Sequence, residues 1–451
     1  MNQVFKGGKC EGMSETKYPK DKVRELQRKL WGSAKKSKTR RFHALYDKIY
    51  RMDVLREAWR RVRSRHGVGG IDGETIEEIE ARGVEPFLME IHNQLREGRY
   101  HPVAVRRVNI PKPNGKNRPL GIPTIRDRVV QMAVKILIEP IFEAEFLGCS
   151  YGFRPKRNAI EALERIRETA NQGYNWVLDV DIKSYFDNIQ HSKLIEKVSQ
   201  RISDRRVIKL IRKWLESGVM VEGRYEKTMV GTPQGGVISP LLSNIYLHYL
   251  DEMWERKYST LGIITRYADD FIIQSKKWGQ MREGKARVKE ILKDLDLELE
   301  PDKSQEINLG MGKQGFKFLG HYLKKCHSIK YPGHYFLNRW PSKESMAKVR
   351  AKIRRIISHR RMKIKNVYEM IPELNRILRG WSNYFKSGNA ARKFLQIEKY
   401  VWQRLIIFQN RRRATKRPHK QRCYTYDWFQ NLGIYRLMGQ IQYPKLAYSK
   451  A

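Results

Sequence analysis

Between residues 42 and 62 apolar side chains recur at spacings of three and four: Leu45, Ile49, Met52, Leu55, Trp59 and Val62. This period predicts one amphipathic helix, with Arg51, Arg56, Arg60 and Arg61 on its polar side. The polar residues before it, 1–40, read as a flexible start leading into a helix, with Lys35, Lys36, Lys38, Arg40 and Arg41 clustered at its end. Gly67-Val68-Gly69-Gly70-Ile71-Asp72-Gly73 ends the helical pattern with turn residues. Residues 103–124 alternate as a strand hairpin: Val103, Val105, Val108 and Ile110, a turn over 111–115, then Arg118 to Ile122. Helical patterning returns over 129–146 and 158–169.

Residues 176–182 form a short apolar strand interrupted by Asp179 and Asp181. A helix-rich stretch runs to Leu215, and a Gly/Pro turn over 231–240 enters a helix through Leu250. Residues 263–273 read as a strand pair folded around Ala268-Asp269-Asp270. This mixed order predicts an α+β unit. After Trp340 the pattern is all helix, with one stripe at Met346, Val349, Ile353 and Ile356 and another at Phe394, Ile397, Val401, Leu405 and Phe408.

Charge changes the picture more than composition does. Lys and Arg total 91 against 48 acids, a net +43 with a pI near 10.1. Such a field repels itself unless a polyanion neutralises it. From Arg339 to Arg422 there are 25 Lys and Arg against 4 Asp and Glu, marking the helical region as a polyanion-binding module. With 23 Tyr, 10 Trp and 15 Phe, aromatic faces for stacking on bases are plentiful. The charge by itself does not separate an RNA enzyme from a passive RNA-binding protein. Mean hydropathy is -0.67 and no apolar run approaches the roughly 20 residues of a membrane span. Residues 1–20 lack the apolar core of a secretory signal, so no membrane and an intracellular location are expected. Cys10, Cys149, Cys326 and Cys423 form no C-x-x-C pair, which argues against a disulfide framework or structural zinc.

An acid within an apolar strand is costly unless something pairs with it. Here Asp181 and the pair Asp269-Asp270 lie in or beside two such strands. If those strands are neighbours, the carboxylates converge, and their repulsion calls for divalent cations; oxygen-only ligands favour Mg²⁺. Two ions about 4 Å apart serve an in-line displacement at phosphorus. Acidic turns at strand ends are the alternative that the aspartates alone leave open.

The surrounding motifs carry a resemblance. Tyr267-Ala268-Asp269-Asp270 resembles the Tyr-x-Asp-Asp signature of reverse transcriptases, and Asp181-Ile182-Lys183-Ser184-Tyr185-Phe186-Asp187-Asn188-Ile189 resembles their first catalytic motif in its group II intron form. Gly231-Thr232-Pro233-Gln234-Gly235-Gly236 is similar to the motif beside the incoming nucleotide. Leu299-Glu300-Pro301-Asp302-Lys303 and Phe318-Leu319-Gly320 are similar to the lysine motif and the primer grip. Ile110-Pro111-Lys112, Arg118-Pro119-Leu120-Gly121-Ile122-Pro123 and Ser150-Tyr151-Gly152-Phe153-Arg154-Pro155 complete the series. Outside it, His66-Gly67-Val68-Gly69-Gly70-Ile71-Asp72-Gly73 resembles an N-terminal motif of group II intron enzymes. Leu378-Arg379-Gly380-Trp381-Ser382-Asn383-Tyr384-Phe385 resembles the signature of their thumb, the maturase domain X.

The resemblance implies a right-hand polymerase, fingers and palm, followed by an all-α thumb. The expected division is a polar basic segment (1–41), an extension (42–100), fingers and palm (101–335), the thumb or domain X (336–413) and a short basic tail able to contact DNA (414–451). Asp181, Asp269 and Asp270, with the carbonyl of Ile182, would hold two Mg²⁺ ions. Lys112 and Arg118 would hold the triphosphate, a point cation beside a forked one. Gln234 would border the nucleotide, Lys303 would give a proton to pyrophosphate, and Phe186 would exclude a ribose 2′-hydroxyl. Phe318, Leu319 and Gly320 would grip the primer, and Arg350, Lys352, Arg354, Arg355 and Arg379 would bind RNA.

The activity implied is RNA-directed DNA synthesis from dNTPs on an RNA template with a DNA primer. It would be joined to binding and splicing of the intron RNA, in a cytoplasmic ribonucleoprotein that acts on a DNA target. Many relatives end in an H-N-H nuclease with paired C-x-x-C motifs. Only Cys423 follows Cys326 here, so the expected lineage is the one without that nuclease, which primes from existing DNA ends. The other readings are a retron-type, defence-linked or domesticated reverse transcriptase, and a non-enzymatic splicing cofactor.

Overall fold

A computed structural model describes residues 19–111, 115, 117–221, 224–226, 231, 235–302, 304–358, 366–413 and 426–443. The chain forms two compact units that interleave along the sequence. One takes the residues through Leu147, Ser184–Tyr249 and Lys293–Leu297; the other takes Gly148–Lys183, Leu250–Leu292 and the residues from Glu298 onward. The strands, in chain order, are β1 (Val105–Pro111), β2 (Asn117–Ile122), β3 (Trp176–Val180), β4 (Val219–Val221), β5 (Arg224–Glu226), β6 (Ile263–Tyr267), β7 (Asp270–Ser275), β8 (Gln305–Asn308), β9 (Gly315–Phe318), β10 (His321–His327) and β11 (Tyr335–Pro341).

The first unit is built on the helix Ile125–Glu143. Val129, Val130, Ala133, Val134, Ile136 and Leu137 are all fully buried, so it is wrapped on every side rather than along one stripe. Thr124 caps it, its hydroxyl accepting from the Asp127 N–H at 3.1 Å. The helix Pro19–Lys36 lies beside it, with Gln27 donating to the Ile136 carbonyl at 2.9 Å. The sequence pattern predicts only a lead-in there. Val23, Leu30 and Ala34 are the buried positions, too sparse among charged neighbours to show as a stripe.

The single helix expected over 42–62 is two, Tyr46–Ile49 and Met52–Arg63. His92 Nδ1 bonds the Tyr50 carbonyl at 2.7 Å, and Arg51 turns extended at ψ 134°. The Asp204 carboxylate accepts from the Leu45 and Tyr46 N–H groups at 2.9 and 2.8 Å. His92 thus takes a carbonyl at the break, while Asp204 caps the first N–H groups of the shorter helix. The hairpin expected over 103–124 forms, pairing Arg106 with Ile122 through to Pro111 with Asn117, and β4 and β5 extend it into a sheet of order β2-β1-β4-β5.

In the second unit β3 lies inside a sheet of order β6-β7-β3-β8. The helix Ala159–Asn171, whose N-cap Asn158 accepts from the Glu161 N–H at 3.0 Å, packs Leu163, Ile166 and Ala170 against Val177, Ile272 and Ile307. A second sheet, β11-β10-β9, leads into the helices Lys343–Ile356, Val367–Phe385, Ala391–Arg413 and Tyr426–Asn431. Both apolar stripes read from the sequence lie in one core there. Phe429 and Leu437 join it, and the Glu398 carboxylate accepts from the Leu437 and Met438 N–H groups at 2.7 and 3.1 Å. The α+β class expected from the order of elements is the one that folds.

Candidate active site

The two aspartate-bearing strands are neighbours. β3 and β7 run antiparallel, with Asp179 opposite Ile272 and Val180 opposite Phe271. Continuing the register by one position sets Asp181 opposite Asp270. Because side chains alternate along a strand and opposed residues share a face, Asp179, Asp181 and Asp270 fall on one face of the sheet. Phe271 and Leu178, on the other face, are fully buried. Asp269 occupies the two-residue turn Ala268-Asp269 that joins β6 to β7, where Tyr267 pairs with Asp270.

The electrostatics agree with this convergence. The carboxyl of Asp179 is pushed up to about 7, first by burial and then by the charges of Asp270 and Asp181. Asp179 is not among the site residues that the sequence motifs pick out. The signal is nonetheless present: two positions before Asp181 on a strand is the same face.

Ile182 is buried and bridges Leu299 in antiparallel fashion. The backbone bonds of that bridge come from the Lys183 N–H to the Glu298 carbonyl at 2.9 Å and from the Glu300 N–H to the Asp181 carbonyl at 2.8 Å. They lie on either side of Ile182, so its own carbonyl is not spent in the ladder. Among the described residues no three His, Cys, Asp or Glu side chains form a ready-made metal cage. The donor set still fits hard divalent ions, because Mg²⁺ takes one or two carboxylates and completes its octahedron with water and substrate phosphate. Asp181 and Asp270, whose charges raise the carboxyl of Asp179, supply the negative site such ions neutralise.

Phe318, Leu319 and Gly320 form a tight turn between β9 and β10. Leu319 and Gly320 have φ of 46° and 73°, the left-handed pair that a two-residue hairpin requires. Its carbonyls are held by the helical region. Ser345 Oγ and the Ser342 N–H donate to Gly320 O at 2.7 and 3.0 Å, and Tyr384 Oη donates to Leu319 O at 3.0 Å. Burial raises the Tyr384 phenol, and the phenol of Tyr267 adds to it. Beside this turn opens a cleft of about 610 Å³, lined by Leu319, Gly320, Lys348, Lys352, Arg376, Trp381 and Tyr384.

The remaining candidates are dispersed. Lys352 lines the cleft and Arg354 and Arg355 are exposed on the same helix. Arg350 is half-buried with its guanidinium 5.7 Å from the Tyr400 ring, and Arg379 sits 5.4 Å from that of Tyr435. Lys348 and Arg376 escape the sequence motifs, although Lys348 stands one helical turn before Lys352. Phe186 belongs to the first unit, in the helix Tyr185–Asn188, its ring 5.1 Å from that of Tyr185. Arg118 lies in β2 opposite Ile110, its side chain outside the described set. Lys112, Gln234 and Lys303 lie outside the described residues. No described helix is long and apolar enough to cross a membrane.

A carboxylate-bearing antiparallel sheet joined to basic helices suits metal-dependent chemistry on a polyanion, and comparison with known proteins specifies the class. Residues 110–323 match the reverse transcriptase (RNA-dependent DNA polymerase) family, and residues 346–426 match the group II intron maturase-specific domain. The chain is 35% identical over 348 residues to protein YkfC of Escherichia coli (strain K12), covering 68% of this chain and 89% of YkfC. It is 41% identical over 214 residues to the group II intron-encoded protein LtrA of Lactococcus lactis subsp. cremoris, covering 47% of this chain and 35% of LtrA. Among solved structures it is similar to a telomerase from Candida albicans, at 13% identity and TM-score 0.39 over 70% of this chain and 59% of that one.

The chain belongs to the group II intron reverse transcriptase/maturase family, RNA-directed DNA polymerases whose chemistry is divalent-metal-dependent nucleotidyl transfer. The retron-type, defence-linked and domesticated readings and the non-enzymatic cofactor are not favoured by this pair of matches.

Proposed function

We propose that this protein binds its own group II intron RNA, assists its splicing, and copies RNA into DNA at a two-Mg²⁺ site formed by Asp181, Asp269, Asp270 and the Ile182 carbonyl. The observation that carries the reading is the β3–β7 register, which sets Asp181 opposite Asp270 beside the Asp269 turn. Bound there, two Mg²⁺ ions would activate the primer 3′-hydroxyl and neutralise the leaving pyrophosphate. The protein's own groups do the rest. Lys112 and Arg118 bind the triphosphate, Gln234 orients the nucleotide, and Lys303 gives a proton to the leaving group. Phe186 closes the space a ribose 2′-hydroxyl needs, and the turn at Phe318, Leu319 and Gly320 positions the primer end. Fingers and palm span 101–335 and the thumb 336–413, preceded by the basic segment 1–41 and the extension 42–100. The tail from 414 contacts DNA. The working particle is a cytoplasmic ribonucleoprotein, in which the basic surface is neutralised by RNA.

The test is Asp269→Ala and Asp181→Ala in primer extension with Mg²⁺ on an RNA template, alongside filter binding to intron RNA. Extension is expected to vanish in both with RNA affinity nearly unchanged. Substantial extension by both variants would overturn the metal-site assignment.

A further inference from the structure

The Ala268-Asp269 turn has a difficulty built into it. Ala268 has φ 59° at the first position of a two-residue hairpin turn, while Asp269 does not share the positive φ. That combination belongs to turns which favour glycine at the first position, because Cβ crowds the backbone there. A strained residue of this kind persists only where its surroundings over-determine it. Two features of the second unit do so.

The first is Arg266, fully buried on β6 two residues before Ala268. Its Nε donates to Asp251 Oδ1 at 2.8 Å and its Nη2 to Asp251 Oδ2, so the carboxylate of Asp251, itself fully buried, fixes the guanidinium plane. The third nitrogen, Nη1, donates to the Ala268 carbonyl at 2.9 Å. That carbonyl is in the peptide bond that enters Asp269. The second is Gly152, in the Ser150-Tyr151-Gly152-Phe153-Arg154-Pro155 stretch. A Cβ on Gly152 would lie 2.3 Å from the Ala268 nitrogen and 2.8 Å from the Tyr267 carbonyl carbon, so the two backbones touch. Just before this contact the two segments are bonded on either side of Ser150, which bridges Arg266: Arg266 N–H to Cys149 O at 2.8 Å and Tyr151 N–H to Arg266 O at 2.9 Å.

We infer that Arg266, held by Asp251, and Gly152 are positioning residues that clamp the turn through Ala268 and so fix where the Asp269 and Asp270 carboxylates stand before any metal arrives. This rests on the reading of Asp269 as a metal ligand. An ion pair spent only on stability would be replaceable by apolar side chains of similar volume. The bond from Nη1 to Ala268 is not.

The variants are therefore the double replacement Arg266→Met with Asp251→Leu, and separately Gly152→Ala, in the full chain. Three quantities are read: the melting temperature, hydrogen–deuterium exchange of the metal-free protein over 263–275 against 159–171 as control, and the Mg²⁺ half-saturation of single-nucleotide extension. The clamp predicts a melting temperature close to wild type for the double variant and faster exchange confined to 263–275. It also predicts a Mg²⁺ half-saturation raised at least threefold. A folded double variant with wild-type exchange and wild-type Mg²⁺ dependence overturns the inference. Should the double variant fail to fold, Gly152→Ala decides by the same exchange and Mg²⁺ measurements, unchanged values overturning it and shifted ones upholding it. Asp269→Ala separates the two failures. If it keeps extending primers, the metal-ligand reading falls; if it is dead while the clamp variants behave as wild type, only the clamp falls.

Discussion

Tyr384 Oη donates to the Leu319 carbonyl at 3.0 Å, tying the Gly380–Phe385 signature to the turn proposed to grip the primer. The aromatic residues of Gly380-Trp381-Ser382-Asn383-Tyr384-Phe385 pack as well, Trp381 lying 4.9 Å from Phe394 and Tyr384 4.9 Å edge-on to Phe385. Tyr384→Phe keeps the ring and removes the bond, a change of about 1 kcal/mol. The expected result is a small fall in melting temperature with shorter extension products and an unchanged rate of single-nucleotide addition. Full-length products at wild-type yield would show that the bond does not hold the grip in place during copying.

His321, at the start of β10, makes that junction sensitive to acid. Its imidazole is 1% exposed, Nδ1 donates to Leu319 O at 3.1 Å, Nε2 is buried with no partner, and the ring lies 4.6 Å from Phe385. Burial first, and the charge of Arg339 last, bring it down to about 4 despite the bond to Leu319. With the folded value below the unfolded one, the unfolded chain takes up the proton first. Stability is fully present above pH 6.5 and is lost as pH falls from there toward 4, by on the order of 3 kcal/mol in all. Urea midpoints between pH 7.5 and 4.5 check this, and His321→Gln is expected to flatten that part of the profile. An equally steep profile in the variant would place the acid sensitivity elsewhere.

How much of this is legible in the sequence depends on the kind of signal. The β6–β7 hairpin and the two thumb stripes are legible because period and turn chemistry are local. The break at Tyr50 is not, since the group that takes its carbonyl, His92, lies 42 residues away in sequence. The helix Pro19–Lys36 is hidden because only Val23, Leu30 and Ala34 mark its buried side. Asp181, Asp269 and Asp270 stand out as candidates through their motifs. Asp179 escapes them although strand alternation puts it on the same face, and Arg266 and Asp251 have no local signal at all. An Arg beside an Asp in space is a tertiary fact.

The proposed role of Phe186 in sugar choice is open to direct test. It lies in the first unit beside Tyr185, whose hydroxyl donates to the Ser243 carbonyl at 2.9 Å, so the short helix carrying it is anchored. Phe186→Val removes the outer ring atoms and leaves a β-branched stub. Ribonucleotide incorporation is expected to rise by about 10- to 100-fold relative to deoxynucleotides, the range for relieving a contact of this size. The ratio of kcat/KM for matched ribo- and deoxynucleotides gives the answer directly. An unchanged ratio would make Phe186 a packing residue.

The basic helices divide into two sets that should fail in different assays. Lys348 and Lys352 stand one turn apart on Lys343–Ile356, and with Arg376 they line the cleft beside the Leu319-Gly320 turn. Arg354, Arg392 and Lys399 are exposed outside that cleft, while Arg350 is committed to the Tyr400 ring. Replacing the cleft set by Gln keeps good helix formers and removes three cations. Primer-template affinity should then fall, and the slope of log affinity against log salt should shrink by about 0.9 for each duplex phosphate that is no longer neutralised. Replacing the outer set should leave extension of a saturating primer-template nearly intact and weaken binding and splicing of intron RNA instead. Such a split follows from geometry: the cleft reaches Leu319 and Gly320, and a large folded RNA needs surface beyond it. If the cleft variant spliced poorly but extended primers as wild type does, the cleft would belong to the intron RNA and the primer would be held by the turn alone.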